Sequence, residues 1–128
     1  MKPGGFRGRL VEAIAQVSEA LGFEPRVQFD GPVGAIPERI ADELVPVLRE
    51  ALSNVARHAQ ARSARISITV DSDVTLTVSD DGVGVPDEVL GGRGLGNMVE
   101  RARALGGECS ITRQPSGGSL FRWQVPGA

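Results

Sequence analysis

Glu50, Asn54, Arg57 and His58 set an acid, an amide and two basic groups along one short segment. On a helix, residues three or four apart share a face. Glu50, Asn54 and then Arg57 or His58 therefore project together, while Leu48, Leu52 and Val55 turn toward a core. A polar row above an apolar seam has the donors for a hydrated divalent ion and a polyphosphate. Asn54 offers a neutral carbonyl oxygen to Mg²⁺, an ion that keeps several waters and takes few protein ligands when phosphates supply the rest. Glu50 has the group to accept a proton or orient a water. Arg57 and His58 have the charge to offset phosphate. The same row also suits an ordinary solvated helix face.

A second group follows in Asp80-Asp81-Gly82-Val83-Gly84. Asp80 closes a strand and enters a glycine turn, where a carboxylate at a pocket floor accepts a hydrogen bond from an exocyclic amine such as that of adenine. Gly82 and Gly84 let the backbone approach a flat ring. A plain Asp-Gly turn with no ligand is the bland alternative. The third group is Gly92-Arg93-Gly94-Leu95-Gly96-Asn97, whose glycines precede an amphipathic helix. Free N–H groups and the helix dipole at such a start favour anions. The turn lacks the Gly-Lys-Ser/Thr ending of a P-loop, and no parallel βαβ unit surrounds it, which sets aside a dinucleotide fingerprint. A flexible connector with an N-cap is its bland counterpart. His58 is the single histidine and no strand-turn-helix nucleophile elbow is present, which weighs against a Ser-His-Asp triad.

Periodicity supplies the elements that must position these groups. Phe6 to Leu21 has helical spacing at Leu10, Ile14, Val17 and Leu21, with Gly22 as its stop. Pro25 to Phe29 alternates like a short strand, and Asp30-Gly31-Pro32 is a turn. Pro37 fits the first turn of the next helix, whose stripe runs through Ile40, Leu44, Val47, Leu48, Leu52 and Val55. Pro46 removes a backbone donor there, which predicts a kink or break ahead of a piece from Val47 to His58. Arg65–Val70 and Val74–Val78 form a hairpin across Asp71-Ser72-Asp73, with Ile66, Ile68 and Val70 inward. Val85 to Arg93 reads as a short loop, Leu95 to Leu105 as a helix ended by Gly106-Gly107, and Glu108–Arg113 with Ser119–Val125 as a final hairpin. These one-sided strands predict one mixed sheet with helices packed on one face, an α+β fold of the α/β-sandwich kind. Residues 1–5 read as a flexible or cloning-derived start, and residues 6–128 as a single domain.

Composition limits the function classes. The chain has 128 residues, 41% of them hydrophobic, which suffices for a soluble core. A net charge of −2 opposes non-specific nucleic-acid binding. Aromatics make up only 4% and tyrosine is absent, so base-stacking platforms are not expected. Cys109, the single cysteine, forms no internal disulfide and reads as a small core side chain. Trp123 reads as a sheet anchor. No apolar run approaches membrane-spanning length and no signal peptide is present, which fits a cytoplasmic fragment.

In this order, the three motifs resemble the N, G1 and G2 boxes of the GHKL ATPase superfamily, whose members include sensor histidine kinases, gyrase-type ATPases, Hsp90 chaperones and mismatch-repair ATPases. The chain is most similar to the catalytic ATP-binding domain of NarL-type two-component sensor kinases, through REALSNVARHA, DDGVG, GRGLGNMVERARALGG and GGSLFRWQVP. Within that subgroup it resembles the oxygen- and redox-sensing dormancy kinases. The likeness runs from Pro37 to Pro126 and implies a Bergerat ATP-binding fold with ATP and Mg²⁺ as ligands. It implies that Asn54 binds Mg²⁺, that Glu50 is the water-orienting or general-base carboxylate, and that Arg57 and His58 lie near the phosphates. Asp80 would contact the adenine amino group, with Gly82 and Gly84 shaping the pocket. Arg93, Gly94, Leu95 and Gly96 would border the phosphates, and Ser119 would join the adenine-water network.

The resemblance also implies what lies outside the chain. The accepting histidine sits on a separate dimerisation domain, and the phosphoryl group passes later to a response regulator. His58 falls in the N box and is not that acceptor. The domain alone is expected to be a monomer that binds ATP without autophosphorylating. Val85 to Arg93 is much shorter than many kinase lids and no F box is visible, which predicts weak nucleotide binding. Arg57 stands where lysine is often found, keeping charge but changing hydrogen-bond geometry. Two alternatives stay open: an anti-sigma-factor serine kinase of the same fold, and a non-catalytic nucleotide-sensing or docking module.

Overall fold

A computed structural model describes residues 5–84 and 86–127. Of the expected flexible start, residues 1–4 lie outside the described residues, as do Val85 and Ala128. Gly5, the last residue of that start, already belongs to the first helix. The described chain forms helix α1 (Gly5–Leu21), strand β1 (Arg26–Asp30), a 3-10 turn (Val33–Ala35) and helix α2 (Glu38–Asn54). A π-helical turn (Val55–Ala59), strands β2 (Ala64–Val70) and β3 (Asp73–Asp80), and the short helix α3 (Asp87–Leu90) follow. Helix α4 (Arg93–Ala104) and strands β4 (Glu108–Arg113) and β5 (Ser119–Pro126) complete it.

The five strands make one sheet in the order β1-β2-β3-β5-β4. β1 runs parallel to β2, and every other pairing is antiparallel. The expected mixed sheet is therefore present. Alternation sends Ile66, Ile68, Val74, Leu76, Val78, Phe121, Trp123 and Val125 to one face, where all are buried. Leu10, Ala13 and Val17 of α1, the α2 stripe, and Met98 and Ala102 of α4 cover that face. Val70, expected inward, is only half-buried near the hairpin end.

Three local expectations are corrected. Pro46 does not break α2, which runs as a single helix from Glu38 to Asn54. The burial of Leu44, Val45, Val47 and Leu48 on both sides of the proline outweighs one missing donor. Pro37 caps this helix from outside its first turn, and its carbonyl accepts from the N–H groups of Ile40 and Ala41. The stretch from Val85 to Arg93 is not all loop, since α3 occupies Asp87–Leu90 and α4 starts at Arg93.

Trp123 acts as the anchor its position suggested. It is fully buried, and its indole Nε1 donates to the Met98 carbonyl of α4 at 3.2 Å. Trp123→Phe removes that donor and part of the ring volume. We expect a loss of about 1–2 kcal/mol in urea unfolding with an unchanged m-value. Cys109 is half-buried and burial pushes its thiol up to about 12, which suits a packing role rather than a reactive one. Among the described residues, no helix is long and apolar enough to cross a membrane.

Candidate functional site

The apolar seam of α2 presses Leu44, Leu48 and Leu52 into the core, and the opposite side of its last turns carries Glu50 and Asn54. Asn54 is buried at 6% exposure, one of two buried polar side chains among the described residues, with Ser119. Beyond Asn54 the chain does not continue as a regular helix. The π-turn over Val55–Ala59 widens the coil, and the left-handed Gln60 (φ 51°) ends it. Arg57 folds back so that one guanidinium nitrogen, Nη2, donates both to Glu50 Oε2 and to Asn54 Oδ1, each at 3.2 Å. The four residues picked from the sequence therefore converge, with Arg57 tying Glu50 to Asn54.

They line a hollow of about 380 Å³ whose far wall is Val89, Gly92, Gly94 and Leu95. Gly92 caps α4, and Gly94 lies inside its first turn rather than ahead of it. A Cβ on Gly94 would sit 3.0 Å from Glu50 Oε2, so glycine allows the carboxylate to reach the helix start. Arg93 and Gly96, expected at the same border, are exposed and do not line this hollow. With the helix starting at Arg93, Arg93 and Gly96 lie three residues apart on a side that does not face α2. Val89 was not anticipated. Its signal was the apolar pair Val89-Leu90 between acids and glycines, of which Val89 is buried and Leu90 exposed. Asp87, in the same short helix, pairs with Arg113 of β4 and holds α3 against the hairpin.

Asp80 sits where β3 ends, opposite Ala64 of β2. Its Oδ1 accepts from the Gly82 N–H at 2.8 Å, and the Ser119 main-chain N–H donates to the same carboxylate. Burial raises its pKa above the usual carboxylate value; the two amides pull the other way, and the neighbouring Asp81 charge adds to the rise. Ser119 thus reaches Asp80 through its amide. Gly118 makes this closeness possible: it has φ +82°, and a Cβ there would lie 1.9 Å from the Asp80 carbonyl oxygen. Gly84 packs against the same turn, its Cβ position 3.4 Å from the Gly118 oxygen. Asn54 and Gly94 share one hollow, but Asp80 does not line it. Asp80 borders a second one of about 410 Å³ with Asp81, Ser79, Ser63 and Arg65. The Asp80 carboxylate is held within its own loop by the Gly82 and Ser119 amides.

Residues 40–128 match the sequence model of the histidine kinase-, DNA gyrase B- and HSP90-like ATPases. The chain belongs to this family. It is 33% identical over 118 residues to the nitrate/nitrite sensor protein NarX of Escherichia coli (strain K12), covering 90% of this chain and 20% of NarX. The chain therefore spans about one fifth of that relative's length. Among solved structures, the blue-light activated histidine kinase of Erythrobacter litoralis EL346 superposes with a TM-score of 0.75 at 22% identity, covering 92% of this chain and 40% of that one. The ATP-binding domain of PrrB from Mycobacterium tuberculosis gives 0.68 at 22% identity, covering 94% and 93%. Both share the fold of this ATPase domain.

An ATPase of this family needs a place for a metal-bound triphosphate, and the α2 hollow has suitable chemistry. Its volume falls in the range of small-ligand sites. Its oxygens are hard: one amide carbonyl and one carboxylate. Among the described residues, no group of three or more His, Cys, Asp or Glu could hold a metal alone. The donor set fits a magnesium ion that the nucleotide brings with it rather than a resident one.

Proposed function

We propose that this ATPase domain binds Mg-ATP and presents its γ-phosphate to a histidine on a separate dimerisation domain, for later transfer to a response regulator. The observation that carries this reading is the convergence of Glu50, Asn54, Arg57 and His58 with Gly94 and Leu95 around one hollow at the start of α4. In that reading Asn54 Oδ1 is the protein's ligand to Mg²⁺, which supplies charge neutralisation at the phosphate oxygens. The α4 start, through Gly94 and Leu95, receives phosphate oxygens at its free N–H groups. Arg57 and His58 offset phosphate charge. Glu50 takes the proton from the attacking imidazole nitrogen as the new N–P bond forms and ADP leaves with the bridging oxygen. Asp80 accepts from the adenine amino group within the loop of Gly82 and Gly84, held by the Ser119 amide.

Two measurements test this. Calorimetric titration should give Mg-ATP binding weaker than micromolar, because α3 is a single short turn and covers little of a triphosphate. Mixing the chain with the dimerisation domain of its kinase and labelled ATP should form phosphohistidine on that domain and none on this chain. Phosphoserine on an added anti-anti-sigma protein, with no phosphohistidine, would overturn the reading in favour of the serine kinase.

A further inference from the structure

Asp81 has no task in the nucleotide site, yet it makes four hydrogen bonds to one neighbouring segment. Its Oδ1 accepts from the main-chain N–H of Arg62 at 2.8 Å and of Ser63 at 2.9 Å. Its Oδ2 accepts from Ser63 Oγ at 2.9 Å. Its own N–H returns a bond to the Ser63 carbonyl at 3.3 Å. One acidic residue thus grips two consecutive residues through both side chain and main chain. The carboxyl is held below the usual range first by the Ser63 and Arg62 amides and then by the Ser63 hydroxyl, so it is charged at neutral pH.

The place of this grip gives it meaning. Arg57 and His58 lie in the π-turn that ends at Ala59, and Gln60 then reverses the chain in a left-handed conformation. A non-glycine residue in that region needs surroundings that hold it there. Residues 60–63 lie outside any helix or strand, and the next residue, Ala64, pairs with Asp80. Asp81 therefore fastens the turn leaving the phosphate-side cations to the strand end bearing the base-side acid.

We propose that Asp81 is a positioning residue of the nucleotide site, which locks the 60–63 turn onto the end of β3 so that Arg57, His58 and Asp80 are held in one frame. This rests on the function proposed above. A nucleotide held by the Arg57–His58 turn at one end and by Asp80 at the other gains from a fixed distance between them. Without the clamp, the π-turn moves against the strand end, and base and phosphates no longer engage together.

The test compares wild type, Asp81→Ala, Asp81→Asn and Ser63→Ala in the full chain. Amide hydrogen exchange reads the clamp without any nucleotide. Arg62 and Ser63 should exchange at least about tenfold faster in Asp81→Ala, with β5 unchanged. Asp81→Asn keeps an oxygen for the two amides and should stay within about threefold of wild type. Mg-ATP binding should weaken about tenfold in Asp81→Ala and about twofold in Ser63→Ala, while adenosine binding changes less than twofold. Unchanged Arg62 and Ser63 exchange in Asp81→Ala overturns the proposal. So does faster exchange with unaltered Mg-ATP affinity, or an equal loss for ATP and adenosine. A wild-type chain that binds no Mg-ATP sinks the underlying function as well, and is told apart because the exchange difference between wild type and Asp81→Ala still appears.

Discussion

Asp80→Asn is expected to weaken Mg-ATP binding about 100-fold while changing the domain's stability at pH 7 by no more than about 1 kcal/mol. The two effects separate because the carboxylate does two things. As an acceptor for an adenine amino group it needs an oxygen with a free lone pair. Asparagine keeps one oxygen for the Gly82 N–H that Oδ1 now accepts, but replaces the other with an NH₂ that meets donors from the base or from Ser119. As a charge in the fold, Asp80 is unfavourable: burial is the largest influence on it and raises its pKa. A carboxyl whose folded pKa is raised favours the protonated form in the native state. Its contribution is fully stabilising below the unfolded value near pH 4 and is lost as pH rises through the raised folded value. Asparagine does not titrate. Wild type should therefore lose stability relative to Asp80→Asn between about pH 4 and neutrality, offsetting the hydrogen bond that asparagine gives up. Urea unfolding across that interval and calorimetry at pH 7 measure both. Nucleotide affinity within threefold of wild type would remove Asp80 from the base site.

The sequence made the chemistry of α2 legible because helical spacing is a local property. Glu50 and Asn54 needed only the i, i+4 rule, and the stripe from Ile40 to Leu52 fixed which side they faced. The hairpins were equally local, since Asp71 to Asp73 and Gln114 to Gly118 carry turn chemistry between alternating strands. What escaped was set by contacts far along the chain. The π-turn at Val55–Ala59 has no compositional mark, and it lies between Asn54 in the core and a turn that Asp81 holds from another strand. The start of α4 at Arg93 was hidden by glycines, which read as loop although one of them meets Glu50. Asp81 was visible only as a neighbour of Asp80, because its partners lie some eighteen residues earlier. Alternation placed Asp80 at a strand end, but it could not foresee a carboxylate turned into the amides of Gly82 and Ser119.

Asn54→Ala should lower phosphohistidine formation by about 10²- to 10³-fold, with a much smaller effect on ATP affinity. Its side chain is buried, and its carbonyl oxygen accepts from Arg57 Nη2, which also holds Glu50. The guanidinium thus stands on the oxygen proposed for a nucleotide-borne metal and on the carboxylate proposed to take the proton. A metal and this arginine are competitors, and the contest resolves once Arg57 turns to the phosphates. It is free to do so, because its side chain is 60% exposed and its pair with Glu50 is of the solvent-screened kind. Alanine at 54 removes the oxygen whichever cation holds it, so the loss falls on the rate: charge developing on the phosphoryl oxygens is no longer balanced from that side. Adenine and α4 contacts stay, and KM for ATP moves little. Arg57→Met is the informative contrast. Stability should change by under about 0.5 kcal/mol. The rate should fall about tenfold for want of one phosphate-side charge, while the magnesium concentration giving half-maximal transfer falls too, because Asn54 is no longer contested. Phosphohistidine yield across a magnesium series at fixed ATP reads all three proteins together. If Asn54→Ala keeps more than a tenth of the wild-type rate, or if Arg57→Met needs more magnesium than wild type, Asn54 is not the metal's ligand and Arg57 is not its rival.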